Sequence, residues 1–240
     1  MSMNEQLKGL YQQHWDKTRD EIVIGKDSAF PFMISVSKRY ENATKKVMFC
    51  GQETNCWNGK ETHNYDPELV KRSTVGTITK CYNDFVNKEK RMGYNSPFWN
   101  FINRLATQNA NTGFIVNNIV KIGKKRRKGY NRVIDEEAHK YFPVFKEEVN
   151  ILKPDLIIFL TGPNYDDKIE YNLGSFSKEN CLDKEEFSFL NNPANICFDK
   201  LNFNDNNIPL SYRINHPGAI QRRHQYYPMI KAIDIIIKDL

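Results

Sequence analysis

Apolar residues recur along this chain in two rhythms, one helical and one of short continuous runs. In NEQLKGLYQQHWDKTRDEI, Leu7, Leu10, Tyr11 and Trp15 fall at helical spacing and predict an amphipathic helix packed on the outside of the domain. KVMFCG, residues 46–51, is a short apolar run that ends on glycine and reads as a strand. PELVKRSTVGTITKCYNDFVNKEK then has helical periodicity. SPFWNFINRLA starts another helix, with Ser96 as its cap and Pro97 at the first helical position. GFIVNNIV is a strand. DEEAHKYFPVFKEEVNILK opens on acids and closes on lysine, as a helix does, with Pro143 placed to kink or divide it. PDLIIFLTG is the clearest buried strand, IPLSYRINHP the last strand, and YYPMIKAIDIIIKDL the closing helix. Between them, residues 171–208 are rich in Asn and Asp, and FSFL and ICFDKLNF suggest the strands of an inserted hairpin.

Apolar runs separated by helical patterns are what a parallel sheet covered on both faces requires. The expected fold is therefore α/β, a three-layer α/β/α sandwich with a central, mainly parallel four-stranded sheet. It is expected as a single domain over residues 1–240, with the N-terminal helix region, residues 1–45, as an appended element. In such sheets ligands sit beyond the carboxyl ends of the strands. The polar residues that follow the strands are Gln52, Glu53 and Asn55 after the first, Asn117 and Asn118 at the end of the second, and His216 after the last. A carboxylate, amides and an imidazole facing one crevice suit recognition and cleavage of an uncharged polar group.

Composition narrows the setting. With 240 residues and 40% apolar content the chain can bury a large core. The polar start MSMNEQLKGL and the lack of a long apolar run predict a cytoplasmic protein with no membrane partner, expected as a monomer. Cys50, Cys56, Cys81, Cys181 and Cys197 are irregularly spaced and form no CxxC, so free thiols and neither a metal nor a cofactor are expected. The net charge of +6 is concentrated: KIGKKRRKGYNR, residues 121–132, holds seven cations and no acid, which leaves about −1 for the rest. Such a loop is the electrostatic footprint of a phosphate-backbone contact, or else a solvated basic loop.

Three segments carry a family resemblance. CGQETN resembles the first motif of the uracil-DNA glycosylase superfamily, GQDPY in one branch and GEAPG in another. NHPGAIQRR is similar to its last motif, HPSPLS or HPAYL, and FIVNNIVKIG to the strand bearing its base-reading asparagine. The order also matches, with LKPDLIIFLTG between them, over residues 45–240. The resemblance implies a DNA base glycosylase active on uracil or a related damaged or modified base, with single- or double-stranded DNA as partner. Glu53 would then position the water and stabilise the oxocarbenium-like sugar, where it would otherwise be an ordinary loop glutamate. His216 would donate to the base oxygen as the base leaves. Asn118 would read the Watson-Crick edge, with Asn117 as its rival because neighbouring strand residues face opposite ways. Gln52 would offer its backbone N–H. Ile220 aligns with the wedge that fills the gap left by a flipped base, or is a core residue at the start of the last helix. Arg222, Arg223 and His224 would meet phosphates, with Lys124, Lys125, Arg126, Arg127 and Lys128 as a second clamp. Trp57, Phe98 or Tyr65 would stack on the base.

The sequence also departs from the family. Thr54 and Asn55 stand where one branch has a proline and a tyrosine that excludes thymine's methyl group, so the pocket would admit a base substituted at C5. Gly218 replaces a serine, and the four-cysteine arrangement of the iron-sulfur branches is missing. Two other readings compete: a non-catalytic nucleic-acid-binding protein of the same fold, and a nucleoside or nucleotide hydrolase. A dinucleotide site is disfavoured because no GxGxxG follows the first strand.

Overall fold

The computed structural model describes residues 1–26, 28–54, 57, 67–87, 95–125, 129–190 and 196–240. The chain divides into two compact units. The first comprises Met1–Ser37, Gln52–Lys88 and Asn117–Leu152; the second comprises Lys38–Gly51, Glu89–Val116 and Lys153–Leu240.

The first unit is helical. Helix α1 (Met3–Lys17) opens on a reciprocal cap in which the Ser2 side chain accepts from Glu5 N–H while the Glu5 carboxylate accepts from Ser2 N–H. Leu7, Tyr11 and Trp15 make one stripe, and all three are buried. The chain then widens into a π-helical segment, Thr18–Ile24. A second helix (α2, Lys38–Asn42) belongs to the other unit. The single helix expected near residues 67–90 is divided: α3 (Pro67–Arg72) stops, Thr74 caps α4 (Val75–Tyr82), and Asn83–Asn87 is π-helical. Thr74 and Thr77 exchange side-chain bonds to each other's backbone N–H, and this local satisfaction outweighs the continuing apolar stripe. The other expected division occurs at Pro143, between α6 (Arg132–Tyr141) and α7 (Phe145–Leu152). Helix α1 packs on both α4 and α7.

The second unit carries the sheet, apart from the last two residues of its second strand. Its strands are β1 (Lys45–Gly51), β2 (Thr112–Asn118), β3 (Leu156–Phe159), β4 (Phe176–Asn180), β5 (Phe198–Phe203) and β6 (Leu210–Ile214), in spatial order β2-β1-β3-β6-β5-β4. β1, β3 and β6 are parallel, with Val47 opposite Leu156 and Leu156 opposite Leu210; β5 and β4 continue antiparallel. The expected four-stranded sheet is thus a six-stranded mixed one. The two strands beyond the expected four are β5, which falls within ICFDKLNF, and β4, whose residues after Phe176 are all exposed and so carry no apolar alternation; its ladder to β5 alone defines it. FSFL is instead a 3₁₀ turn (Glu185–Phe187) followed by loop, with Phe187 and Leu190 buried. Arg213 of β6, nearly fully buried, is bonded to Asp199 of β5.

Around the sheet in this unit run α5 (Pro97–Gln108), α8 (Asp166–Leu173), α9 (Pro217–Arg222) and α10 (Tyr226–Lys238). Ser96 accepts from Trp99 N–H to cap α5, as expected. α5, α9 and α10 pack on one another. Because β1, β3 and β6 are parallel, their carboxyl ends lie along one edge of the sheet. In the chain, Gln52 and Glu53 follow the first of these ends and Asn215 and His216 the last. No helix among the described residues is long and apolar enough to cross a membrane.

Candidate functional site

In the first unit, the segments that leave β1 and β2 are tied together. Val120 N–H donates to Gln52 O at 2.9 Å. A Cβ at Gly123 would lie 2.7 Å from Thr54 O, so only glycine allows this approach. Gln52 and Glu53 are half-buried and Thr54 is buried. Asn55 and Tyr65 lie outside the described residues, as do Arg126, Arg127 and Lys128.

The two asparagines at the end of β2 have different fates. Asn117 is fully buried: its Nδ2 donates to Glu148 Oε2 at 2.9 Å, and its Oδ1 accepts from Lys121 Nζ at 2.7 Å and from Asn118 N–H at 2.9 Å. Lys121 Nζ also reaches both Glu148 oxygens, at 2.8 and 2.9 Å. The Tyr11 hydroxyl donates to Glu148 Oε1 at 2.6 Å and accepts from Ile34 N–H at 3.1 Å. Tyr11 and Glu148 are 0% exposed and Lys121 4%. Burial, and next the Glu148 charge, push the Tyr11 hydroxyl well above its ordinary range. Asn117 is therefore committed to an internal ion network. The side-chain amide of Asn118, 7% exposed, makes no hydrogen bond among the described residues.

Two cations of the basic segment are not where the sequence reading put them. Lys121 is internal, and Lys125 keeps only 9% exposure. Lys125 is thus corrected from a solvent-facing phosphate contact to a largely buried residue, because the chain after Lys121 runs beside residues 28–32. Phe32 N–H donates to Lys121 O at 2.8 Å and Ala29 N–H to Gly123 O at 3.1 Å. Lys124 bridges to Ser28 through the backbone and is half-buried. Trp57 sets its ring edge-on to Phe32 at 4.8 Å and to Phe85 at 6.0 Å, within an aromatic cluster that Tyr82 completes.

In the second unit, His216 caps α9. Its Nδ1 accepts from Gly218 N–H at 3.2 Å, so Nδ1 is unprotonated and Nε2 carries the hydrogen of a neutral ring. The imidazole lies nearly parallel to the half-buried Phe98 ring, with centroids 5.8 Å apart and planes at 14°. A Cβ on Gly218 would come 3.4 Å from Nδ1, at the edge of ordinary contact. Ile220 is corrected: it is 0% exposed, because α9 turns it onto α5 and α10, and it is a core residue rather than a wedge. Arg222 is exposed and Arg223 half-exposed; His224 follows in the left-handed region, at φ 58°.

Sequence reasoning missed the Tyr11–Lys121–Glu148 network. A signal existed: Glu148 sits between Phe145, Val149 and Leu152 on the buried stripe of α7, where a carboxylate needs a partner. It also missed the pairing of Phe98 with His216. Among the described residues, no group of three His, Cys, Asp or Glu side chains could hold a metal ion. Comparison with protein-family models and with curated proteins finds no match to this chain.

Proposed function

We propose that this protein is a DNA base glycosylase that hydrolyses the N-glycosidic bond of uracil or a related modified base after the nucleotide has been flipped from the stack. The observation that carries the reading is the division of labour at the end of β2. Asn117 is spent on the internal network, while the amide of Asn118 is left without a side-chain partner on a segment bonded to the one that bears Glu53.

Each group has a task in the chemistry. The Asn118 amide offers a donor and an acceptor to a pyrimidine edge. As the C1′–N bond breaks, the sugar gains positive character and the base negative. The Glu53 carboxylate stabilises the sugar and orients a water for attack at C1′. The water oxygen bonds to C1′, and the proton it releases balances the anionic base that departs. By the resemblance of NHPGAIQRR to the family's last motif, His216 would donate to the base oxygen as charge gathers there, with its Nε2–H set by the bond that Nδ1 accepts. Phe98, parallel to that imidazole, and Trp57, within the cluster of Phe32 and Phe85, are the rings proposed to cover the base.

The test uses labelled oligonucleotides that contain uracil, hydroxymethyluracil, hypoxanthine or a G:T mismatch, and reads alkali-labile abasic sites. Wild-type protein is expected to cleave at least one, and Glu53→Gln and His216→Ala are each expected to lose at least about tenfold. Cleavage unchanged in Glu53→Gln, or none on any substrate, would overturn the reading; salt-sensitive DNA binding without cleavage would point to the non-catalytic protein instead.

A further inference from the structure

Five cations of the second unit stand on one group of helices that carries little opposing charge. α5 and residues 217–238 hold Arg104, Arg222, Arg223, Lys231 and Lys238 against Asp234 alone, five cations and one anion for a net +4. Asp234 is itself occupied, by Lys238 Nζ at 2.6 Å and Asn109 Nδ2 at 2.7 Å. Arg104, Arg222, Lys231 and Lys238 are exposed. The 121–132 segment belongs to the other unit.

Aromatic rings accompany these cations. Tyr227 is 64% exposed, more than any other aromatic side chain among the described residues, although it stands on the helix that supplies Ile230, Ile233 and Ile237 to the core. The Arg104 guanidinium lies 4.8 Å from its ring centroid. One turn further along α10, Lys231 Nζ lies 4.1 Å from the ring centroid of the half-buried Phe189. An exposed ring beside cations offers a π-face for stacking and charge for phosphates, a combination that unstacked nucleic acid uses in full. In a duplex the base faces are stacked on one another, so Tyr227 could contribute little there.

We propose that the exposed surface of α5, α9 and α10 binds single-stranded nucleic acid, with Tyr227 as a base-stacking platform braced by Arg104, and with Arg222, Arg223 and Lys231 as phosphate contacts. This rests on the excision reading for the class of partner and for Arg222 and Arg223 as phosphate contacts. It adds a strand preference, since bases next to a flipped nucleotide would be held unstacked on this surface.

The test is fluorescence anisotropy of full-length protein with undamaged, fluorescein-labelled oligothymidylate, compared with a duplex of the same length. Wild type is expected to prefer the single strand. Tyr227→Ala is expected to weaken single-strand binding about tenfold while Tyr227→Phe keeps it, and Arg104→Gln serves as a second variant that leaves the Tyr227 ring in place. Arg222→Ala combined with Lys231→Ala is expected to lower the slope of log K against log salt by about 1.4, the value for two lost single-strand phosphate contacts. Equal affinity of wild type and Tyr227→Ala overturns the proposal, as does tighter duplex binding, absence of single-strand binding, or equal competition by polyglutamate. Undamaged DNA cannot be cleaved at a lesion, so this result is independent of whether the protein excises bases.

Discussion

Replacing Lys121 by methionine keeps most of the side-chain volume and removes the charge from the buried network. In the folded protein the Glu148 carboxylate then loses two contacts of 2.8 and 2.9 Å and Asn117 Oδ1 loses one of 2.7 Å. Tyr11 and the Asn117 amide remain as donors to the carboxylate, but among the described residues no positive charge is left beside an anion with no exposure. Breaking a buried pair on one side costs about 3–5 kcal/mol. That is a large share of the roughly 5–15 kcal/mol that a folded domain commands. The double variant Lys121→Met with Glu148→Gln removes both charges and keeps an amide able to meet Tyr11 and Asn117, so it is expected to recover most of the loss, to within about 1–2 kcal/mol of wild type. Urea unfolding followed by circular dichroism measures both. A single variant within about 1 kcal/mol of wild type, or a double variant no better than the single, would refute the view that an uncompensated carboxylate is the dominant cost.

The same network makes the two asparagines separable. Asn117→Ala is expected to lose about 1–3 kcal/mol by leaving Lys121 and Glu148 each short of a partner, whereas Asn118→Ala keeps the unfolding midpoint and loses base excision. Thermal melts and the abasic-site assay read the two effects. Ile220→Ala is expected to destabilise by about 2–5 kcal/mol, where an exposed wedge would leave stability unchanged. The raised Tyr11 hydroxyl predicts alkaline sensitivity. Below the unfolded value of about 10 its contribution is complete. As pH rises beyond that, the unfolded chain releases the proton first and stability falls. Tyr11→Phe is expected to flatten that decline in unfolding experiments between about pH 9 and 11; an unchanged slope would assign it to other groups.

Elements whose burial follows from their own residues were legible. β1 and β3 are continuous apolar runs buried along their inner length, and α5 announces itself with Ser96, Pro97 and an apolar stripe. β4 was not, because an exposed edge strand is defined by its partner's hydrogen bonds and not by its side chains. The charge of the 121–132 segment was legible as a sum but not by position. Lys121 belongs inside only because Glu148, 27 residues away, waits there on the buried face of α7. Ile220 shows the same limit, since a residue after His-Pro fits a wedge or a core equally until α9 is seen to turn it inward. Glu53, Asn118 and His216 could be nominated as candidates because they follow strand ends, and the resemblance put Asn118 ahead of Asn117; the bonds each makes then separate the two.

β6 follows the other described strands in the chain, yet it is interior to the sheet, paired with β3 on one side and β5 on the other. On the ribosome, therefore, the LIIF edge of β3 must wait for residues 210–214 to emerge. At roughly 5–20 residues per second the 55 residues from Phe159 to Ile214 take about 3–11 s, long beside the time in which apolar chain collapses. During that interval an apolar strand edge is open to pairing with other nascent chains. Biogenesis of this protein should consequently depend on holding chaperones, and conditions that slow elongation between codons 160 and 210 should lower its soluble yield more than pauses placed elsewhere.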